Sequence, residues 1–389
     1  TRGIVVRPTM PLNQAQLSDA DYEILRKWIE DGARNRDGEA RFPPDPNRRK
    51  WYVVNQACDM VAVFDAESRQ IMRYIDVGHN PAGLELPHMV RISPDGQFWY
   101  LVFFGQIPYM EKYSTLTDEL LDRITLPPGD WNTMAITPDG KFAVSVAYAS
   151  EKVAVVDLEA GVMTEDGDFG WPVHGSAMHP VSGRFYVTLQ DHNGLVSAEI
   201  DANGRIQNPE NHALDPNVAI FESDFLPHEV TFRPDGAFTY ATCQGTNEVR
   251  ILDENDEFVK AISVGGNPSE FAISAPRNLL FVSCMDDETF FGSQGRKRGA
   301  IAVIDMTTNA LVKHVYSGFQ PHGMAVDEAS GVLVVGNRNA NADGPAPHHT
   351  SDCGGRNGYV TLLDLDTQEL VSGFKTEVLA DPYSVAVKQ

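Results

Sequence analysis

One phrase recurs along most of this 389-residue sequence and constrains its fold more than any other feature. In each copy an apolar strand, often opened by Pro-His, ends at a Pro-Asp-Gly turn; a second apolar strand, a polar turn and a third strand ending in Asp follow. The alternation of apolar and polar residues has the period of a half-buried strand, and Asp-Gly favours a hairpin because glycine tolerates a positive φ. The seven copies begin in the ranges 86–102, 132–146, 173–189, 226–242, 268–283, 321–335 and 382–387.

Each complete copy supplies four strands. The third strands, such as VAVFD (61–65) and VAVVD (153–157), are followed by a turn and a more polar fourth strand. Four strands in a repeat of this length form one blade of a propeller. Residues 51–75 hold only three strands, and the C-terminal residues 382–389 hold the missing one. We therefore predict an all-β, seven-bladed β-propeller over residues 51–389, in which the C-terminal strand closes the first blade and leaves no open edge.

The sequence before the propeller has a different pattern. Residues 1–35 are predicted to form a short N-terminal helical segment, and the polar, Pro-rich residues 36–50 a linker. The helix is expected over 18–33, with Ser18 as N-cap and Gly32 as terminator. Its apolar face carries Tyr22, Leu25, Trp28 and Ile29.

Charge and hydropathy narrow the possible partners. The formal net charge of −23 argues against binding to nucleic acid or anionic membranes, which select basic patches. Because no stretch approaches about 18 consecutive apolar residues, we expect no membrane insertion. The sequence begins at Thr1 without a basic and apolar leader, and we interpret this start as either a trimmed chain or a removed signal peptide.

Histidines open four of the seven first strands, where a propeller chain enters each blade at one mouth of the axial channel. Imidazoles gathered there could bind copper, zinc or iron. The alternative is a structural hydrogen bond to the backbone of the next blade. We favour the structural role because Asn132, Ser269 and Tyr383 replace histidine in other blades and no carboxylate recurs beside it. The candidate metal ligands at this mouth are His88, His174, His228 and His322.

The longest insertions should lie on the same face: residues 286–299 and 339–358 between second and third strands, and 208–225 between a fourth and a first strand. Long loops on a rigid ring commonly carry binding. The second of these insertions contains a possible zinc cluster, formed by His348, His349, Asp352 and Cys353.

The four cysteines allow another arrangement. Cys58 lies in the second-to-third turn of the first blade, beside the last blade, which carries Cys353 on the same face. A Cys58–Cys353 disulfide is therefore possible, and it would indicate an oxidising compartment. For Cys243 and Cys284, at equivalent places in adjacent blades, we predict buried packing.

Two resemblances follow from these motifs. VGHNP, VGGNP and SGFQPHG, together with SPDG, TPDG and RPDG, resemble the YVTN family of β-propellers over residues 51–389. This resemblance implies the fold and leaves the function open, since propellers host many unrelated activities.

The N-terminal segment MPLNQAQLS and its Trp-containing helix resemble the last loop and helix of a class I c-type cytochrome, with Met10 matching the axial methionine. The CxxCH sequence needed for covalent haem attachment does not occur, so we predict no cofactor in this chain. We favour the interpretation that this segment is a remnant of a cytochrome domain that now serves for docking. The alternatives are that the haem-bearing part lies outside this sequence, or that the segment is an ordinary capped helix.

Together these features predict a haem-free, non-catalytic propeller subunit of a c-haem oxidoreductase complex in an exported, periplasm-like compartment. In overall architecture the chain resembles the haem-free β subunits of hydrazine synthase from anaerobic ammonium oxidisers. That resemblance implies c-type cytochrome subunits that make hydrazine from nitric oxide and ammonium, within the anammoxosome. The alternatives are a propeller oxidoreductase that holds copper or haem d1 through the four histidines, and a YVTN surface or periplasmic binding module.

Overall fold

The computed structural model describes residues 17–80, 83–287, 298–339, 353 and 355–389. The chain divides into two compact units, Thr1–Arg48 and Arg49–Gln389. Within the described residues no helix is long and apolar enough to cross a membrane.

The first unit contains helix α1, Asp19–Glu30. Ser18 caps it as expected, because its side-chain oxygen accepts a hydrogen bond from the Asp21 backbone N–H. The helix ends three residues earlier than the predicted span, and Gly32 terminates it at a φ of +91°. Gly32 donates to the carbonyl of Ile29 and Ala33 to that of Trp28, which satisfies two carbonyls of the last turn.

The second unit is a ring of seven four-stranded antiparallel sheets, as predicted. In each blade the strands run in order from the channel to the rim. Blade 1 consists of β28 (Pro382–Lys388), β1 (Lys50–Asn55), β2 (Met60–Asp65) and β3 (Gln70–Asp76), with a short 3-10 helix, Gln56–Cys58, between β1 and β2.

The other six blades follow in chain order. They are blade 2, β4 (Pro87–Ile92), β5 (Phe98–Phe103), β6 (Ile107–Ser114) and β7 (Leu120–Gly129); blade 3, β8 (Trp131–Ile136), β9 (Phe142–Ala147), β10 (Lys152–Asp157) and β11 (Val162–Asp168); blade 4, β12 (Val173–Met178), β13 (Phe185–Leu189), β14 (Gly194–Ile200) and β15 (Ile206–Ala213); blade 5, β16 (Pro227–Phe232), β17 (Phe238–Cys243), β18 (Glu248–Asp253) and β19 (Phe258–Ser263); blade 6, β20 (Pro268–Ser274), β21 (Leu279–Cys284), β22 (Arg298–Asp305) and β23 (Ala310–Phe319); and blade 7, β24 (Pro321–Asp327), β25 (Val332–Asn337), β26 (Asn357–Asp364) and β27 (Thr376–Ala380).

The middle strands are apolar on both faces because each blade packs against two neighbours. In β1, Trp51 and Val53 join the cluster shared with blade 7, whereas Tyr52 and Val54 join the cluster shared with blade 2. Successive side chains of a strand point to opposite faces, so a strand covered on both sides is a continuous apolar run. Seven such clusters occupy the seven interfaces between blades.

The recurrent aspartates at the ends of third strands shape the following turns. Asp65 accepts from the Ser68 backbone N–H, and Asp364 accepts from the backbone N–H groups of Asp366 and Thr367. Such side-chain to backbone hydrogen bonds favour turns. The third-strand aspartate is thus a local turn signal.

The ring closes where the sequence predicted. Strand β28 pairs with β1 in the register Trp51↔Val387 and Tyr52↔Ala386. It also contacts β4 and β24, the innermost strands on either side. One connection differs from the prediction: β15 occupies Ile206–Ala213, so the insertion expected over 208–225 begins only after Ala213. Its first residues continue the ladder with β14.

Candidate functional site

A β-bulge at the same place in every blade positions the side chains at the channel mouth. In all seven blades the innermost strand has one residue more than its partner, directly after the residue that opens the strand. A bulge of this kind redirects a side chain out of the regular alternation. The bulged position holds His88, Asn132, His174, His228, Ser269, His322 and Tyr383.

The structure brings the four predicted histidines together, and Tyr383 completes the group. Ring centroids are 6.4 Å apart for His88 and His174, 3.8 Å for His174 and His228, and 5.8 Å for His228 and His322. The Tyr383 ring lies 4.0 Å from both His88 and His322. These five aromatic side chains, which we call the histidine mouth, surround the axis of the propeller.

The histidine mouth opens into a cavity of about 430 Å³. Side chains from the loops above it complete the walls, among them Gln56, Phe104, Tyr148, Gln190, Gln244 and Arg338. Arg338 pairs with Asp381 through two hydrogen bonds of 2.6 and 3.0 Å, and its guanidinium lies 4.5 Å from the centre of the Tyr383 ring. The cavity therefore has a cationic group on one wall and aromatic side chains at its floor.

Two of these imidazoles donate a hydrogen bond from Nδ1 to a backbone carbonyl of the next blade. His174 Nδ1 donates to the carbonyl oxygen of His228 at 3.1 Å, and His322 Nδ1 donates to that of Tyr383 at 3.0 Å. At His88, Gln56 Nε2 donates to Nδ1 at 2.5 Å. His174 and His322 thus make the backbone contact expected of a structural histidine.

Other polar atoms of the histidine mouth have no hydrogen-bond partner within the described part of the chain. They include Nε2 of His88 and of His322, and Nδ1 of His228. For His228, the backbone of Ser269 partly opposes the fall in the pKa of this imidazole. Buried nitrogens without partners are unfavourable in an empty site, because their desolvation is not compensated.

Burial keeps the imidazoles neutral at physiological pH. It lowers the pKa of His88, His228 and His322 well below 6.5, and positive charge on neighbouring groups lowers the pKa of all three further. Burial also lowers the pKa of His174 to about 4. The site therefore offers nitrogen lone pairs rather than positive charge near pH 7.

Two carboxylates lie beside the histidines, although the sequence analysis found none recurring there. Glu229 Oε1 is 3.8 Å from His174 Nδ1, and Glu270 Oε1 is 3.9 Å from His322 Nδ1. Burial raises the pKa of Glu270 to about 7, and burial followed by repulsion from Glu270 raises that of Glu229 well above 4.5. Both residues directly follow a first-strand position that the repeat identifies, so the sequence shows their shared spacing, whereas the bulge decides which way their side chains face.

The two carboxylates also line a second cavity, of about 370 Å³, further along the channel. Arg91 lies on its wall and lowers the pKa of both acids, against the larger effect of burial. The polar residues of the channel thus connect the histidine mouth with a deeper acidic site.

The insertion of blade 7 is joined to blade 1 by a covalent bond. Cys58 and Cys353 form a disulfide with a Cα–Cα distance of 5.2 Å and a sequence separation of 295. The other residues of the zinc cluster considered above, His348, His349 and Asp352, lie outside the described residues, as does Met10. Cys243 and Cys284 are buried and free.

Loss of the Cys58–Cys353 disulfide is expected to destabilise the propeller by about 2–4 kcal/mol, because a long loop of the unfolded chain is no longer constrained. The measurement is urea unfolding of the wild type with and without reductant, and of Cys58→Ser/Cys353→Ser. The double variant should have the unfolding midpoint of the reduced wild type, and reductant should not change that midpoint. Equal midpoints for oxidised and reduced wild type would contradict this expectation.

Comparison with known proteins identifies the fold and no closer relationship. No known family model matches the sequence, and no curated protein matches it. A functionally unknown protein from Desulfotomaculum acetoxidans is 16% identical, with a TM-score of 0.65 over 87% of this chain and 98% of that chain.

Two further structures carry functional names. Dihydro-heme d1 dehydrogenase NirN in complex with DHE is 16% identical, with a TM-score of 0.60 over 99% of this chain and 90% of that chain. Kuenenia stuttgartiensis hydrazine synthase is 18% identical, with a TM-score of 0.61 over 80% of this chain and 92% of that chain. At these identities the likeness is one of fold.

Proposed function

We propose that this chain is a haem-free propeller subunit that assembles with c-type cytochromes in an exported compartment, in the manner of a hydrazine synthase β subunit. The observation that carries the proposal is the apolar face of α1. The four apolar side chains of this face are all exposed: Tyr22 by 56%, Leu25 by 42%, Trp28 by 46% and Ile29 by 57%. A short amphipathic helix gains most of its stability from packing its apolar face against a surface.

The character of this face supports a cytochrome as the partner. It belongs to the segment that resembles the last helix of a class I c-type cytochrome, a helix that packs within such a domain. Helix-in-groove binding uses apolar anchors at this spacing, and exposed aromatic side chains frequently dominate the binding energy. The folds shared with hydrazine synthase and with a haem d1 dehydrogenase agree with a place in haem-dependent redox chemistry.

The disulfide supports the proposed compartment. Disulfides persist in oxidising environments such as the bacterial periplasm and are rare in the cytosol. Cys58 and Cys353 join two separate blades, so their bond is part of the folded ring.

The experiment is purification of the tagged full chain from its source organism, with c-type haem in the eluate quantified by its haemochrome spectrum. Leu25→Ser/Ile29→Ser, which removes two apolar side chains from one face of α1, should lower haem recovery more than tenfold, as expected for the loss of over about 1.4 kcal/mol of binding. The matched control is Glu23→Ser/Lys27→Ser, the same spacing on the other face.

Recovery of stoichiometric c-type haem with the wild type and the control, and its loss with the apolar-face variant, would support the proposal. Equal haem recovery with both double variants would exclude α1 as the docking element. Absence of covalently bound haem from the native assembly would overturn the proposed function.

A further inference from the structure

A second feature of the molecule does not depend on any cytochrome: a mixed group of nitrogen and oxygen donors inside the channel. His174, His228 and Glu229 each offer one atom, and these three atoms lie within 4.8 Å of one another. Residues of two adjacent blades contribute, and all three side chains are buried, with exposed fractions of 8%, 5% and 4%. The bulges in β12 and β16 place them there.

Glu229, like His228, has a buried polar atom that lacks a partner among the described residues. Its Oε1 is buried and has no hydrogen-bond partner within the described part of the chain. The nearby His174 Nδ1, at 3.8 Å, is too distant for a hydrogen bond and is already donating to the His228 carbonyl. An unpaired carboxyl group in the interior is costly, and coordination of a metal ion is one of the arrangements that compensates it.

The surroundings resemble those of metal-binding histidines in other proteins. The hydrogen bond from His174 Nδ1 to a backbone carbonyl fixes the tautomer and leaves the lone pair on Nε2. Glu270, in the next blade, adds a second carboxylate to the same stretch of channel. The cavity above the histidine mouth leaves space for water or a small ligand beside the two imidazoles, and Glu229 lines the second cavity on the other side of them.

We propose that His174, His228 and Glu229 bind a divalent first-row transition-metal ion. Zn²⁺ is the ion against which binding is measured. Two imidazoles and one carboxylate, with space for an exogenous ligand, form a donor set used for Zn²⁺ and Fe²⁺. In a tetrahedral site, metal bonds of about 2.0–2.2 Å place the donor atoms about 3.3–3.6 Å apart. Donor atoms at the 4.8 Å limit of this group would therefore have to approach each other by about 1.2–1.5 Å on binding.

The test uses the full chain, freed of metal with EDTA and dialysed. Titration with Co²⁺ should give one bound ion per chain, with the visible absorption of a four- or five-coordinate site, and one equivalent of Zn²⁺ should displace it. Glu229→Gln keeps the size of the side chain and removes the ligating carboxylate, and it should weaken Zn²⁺ binding about 100-fold, as measured by calorimetry. His228→Gln serves as a second variant with the same expected loss.

Two controls separate this site from other zinc ligands of the chain. His79→Asn changes an exposed histidine outside the histidine mouth and should bind Zn²⁺ as the wild type does. His348→Ala/His349→Ala removes the two histidines of the insertion and should also leave the affinity unchanged. Binding that is lost in this double variant but retained in folded Glu229→Gln and His228→Gln would overturn the proposal. Failure of the wild type to bind stoichiometric Co²⁺ would overturn it as well.

Discussion

A chain that ends at Asp381 is expected not to form a stable monomeric propeller. The missing strand, β28, is the innermost strand of blade 1 and supplies the ladder to β1. Its loss removes one wall of the clusters shared with blades 2 and 7, to which Val385 and Ala386 contribute. We expect the loss to exceed the total stability of a typical domain, about 5–15 kcal/mol.

Exposure of β1 gives this truncation a second effect. All six residues of β1, Lys50–Asn55, are buried, and without β28 one edge of the strand has unpaired backbone groups. An exposed apolar edge pairs readily with other chains. Size-exclusion chromatography should therefore show aggregates, and circular dichroism should show no cooperative melting of the remaining monomer.

The control for this truncation is deletion of Gln389 alone, a residue beyond the end of β28. This shorter deletion should leave the melting temperature and the elution volume of the protein unchanged. A chain ending at Asp381 that elutes as a monomer and melts cooperatively near the wild-type temperature would show that β28 does not hold the ring closed.

Asp118→Ala is expected to lower the free energy of unfolding by about 3–5 kcal/mol, because it leaves a buried ammonium group without its carboxylate. Asp118 Oδ2 lies 2.8 Å from Lys50 Nζ, and the two side chains are only 1% and 2% exposed. The phenol of Tyr52 donates to Asp118 Oδ1 at 2.8 Å. Asp118 belongs to blade 2. Lys50 and Tyr52 belong to blade 1, as does Arg73, whose guanidinium nitrogen lies 3.7 Å from Asp118 Oδ2, so the substitution weakens the contact between the blades.

The pKa shifts in this group agree with the expected direction. Burial lowers the pKa of Lys50 even though Asp118 opposes the change, and burial raises that of Tyr52 well above 10. Lys50 Nζ donates across the interface to Asp118 and to the carbonyl of Thr115, which is 2.7 Å away. Without Asp118, only the bond to Thr115 would remain. The protein would then fold with an uncompensated charge or with a neutral amine.

Urea unfolding at pH 7 measures the effect, with Asp76→Ala as the control. Asp76 is exposed on β3 and its replacement should change the free energy of unfolding by no more than about 0.5 kcal/mol. Lys50→Met/Asp118→Leu, which replaces both charges by apolar groups, should recover much of the loss. Equal stability of Asp118→Ala and Asp76→Ala would refute the role assigned to this ion pair.

Local sequence signals account for most of the fold. Alternating strands, the Asp-Gly turns at Asp95-Gly96 and Asp139-Gly140 and the aspartates that end third strands each act within a few residues. The glycines have φ values of +70° and +75°, which the turns require. Counting strands at both ends then predicted the closure of blade 1, because a ring has no other place for a lone C-terminal strand.

The site was only partly predictable. The positions of His88, His174, His228 and His322 follow from the repeat, since equivalent residues of a propeller lie at equal distances from its axis. The one-residue bulge does not, because it is a property of the pairing between two strands rather than of either sequence. Without the bulge, the facing directions of Glu229 and Glu270 could not be assigned.

The sequence by itself therefore determined the number of blades, the order of their strands and the meeting of four histidines at one mouth, because these depend on local periodicity repeated seven times. Only the tertiary structure decided the group formed by His174, His228 and Glu229, and the ion pair of Lys50 with Asp118. Both depend on the packing of neighbouring blades, where distances of a few ångströms determine which polar groups are paired and which remain available.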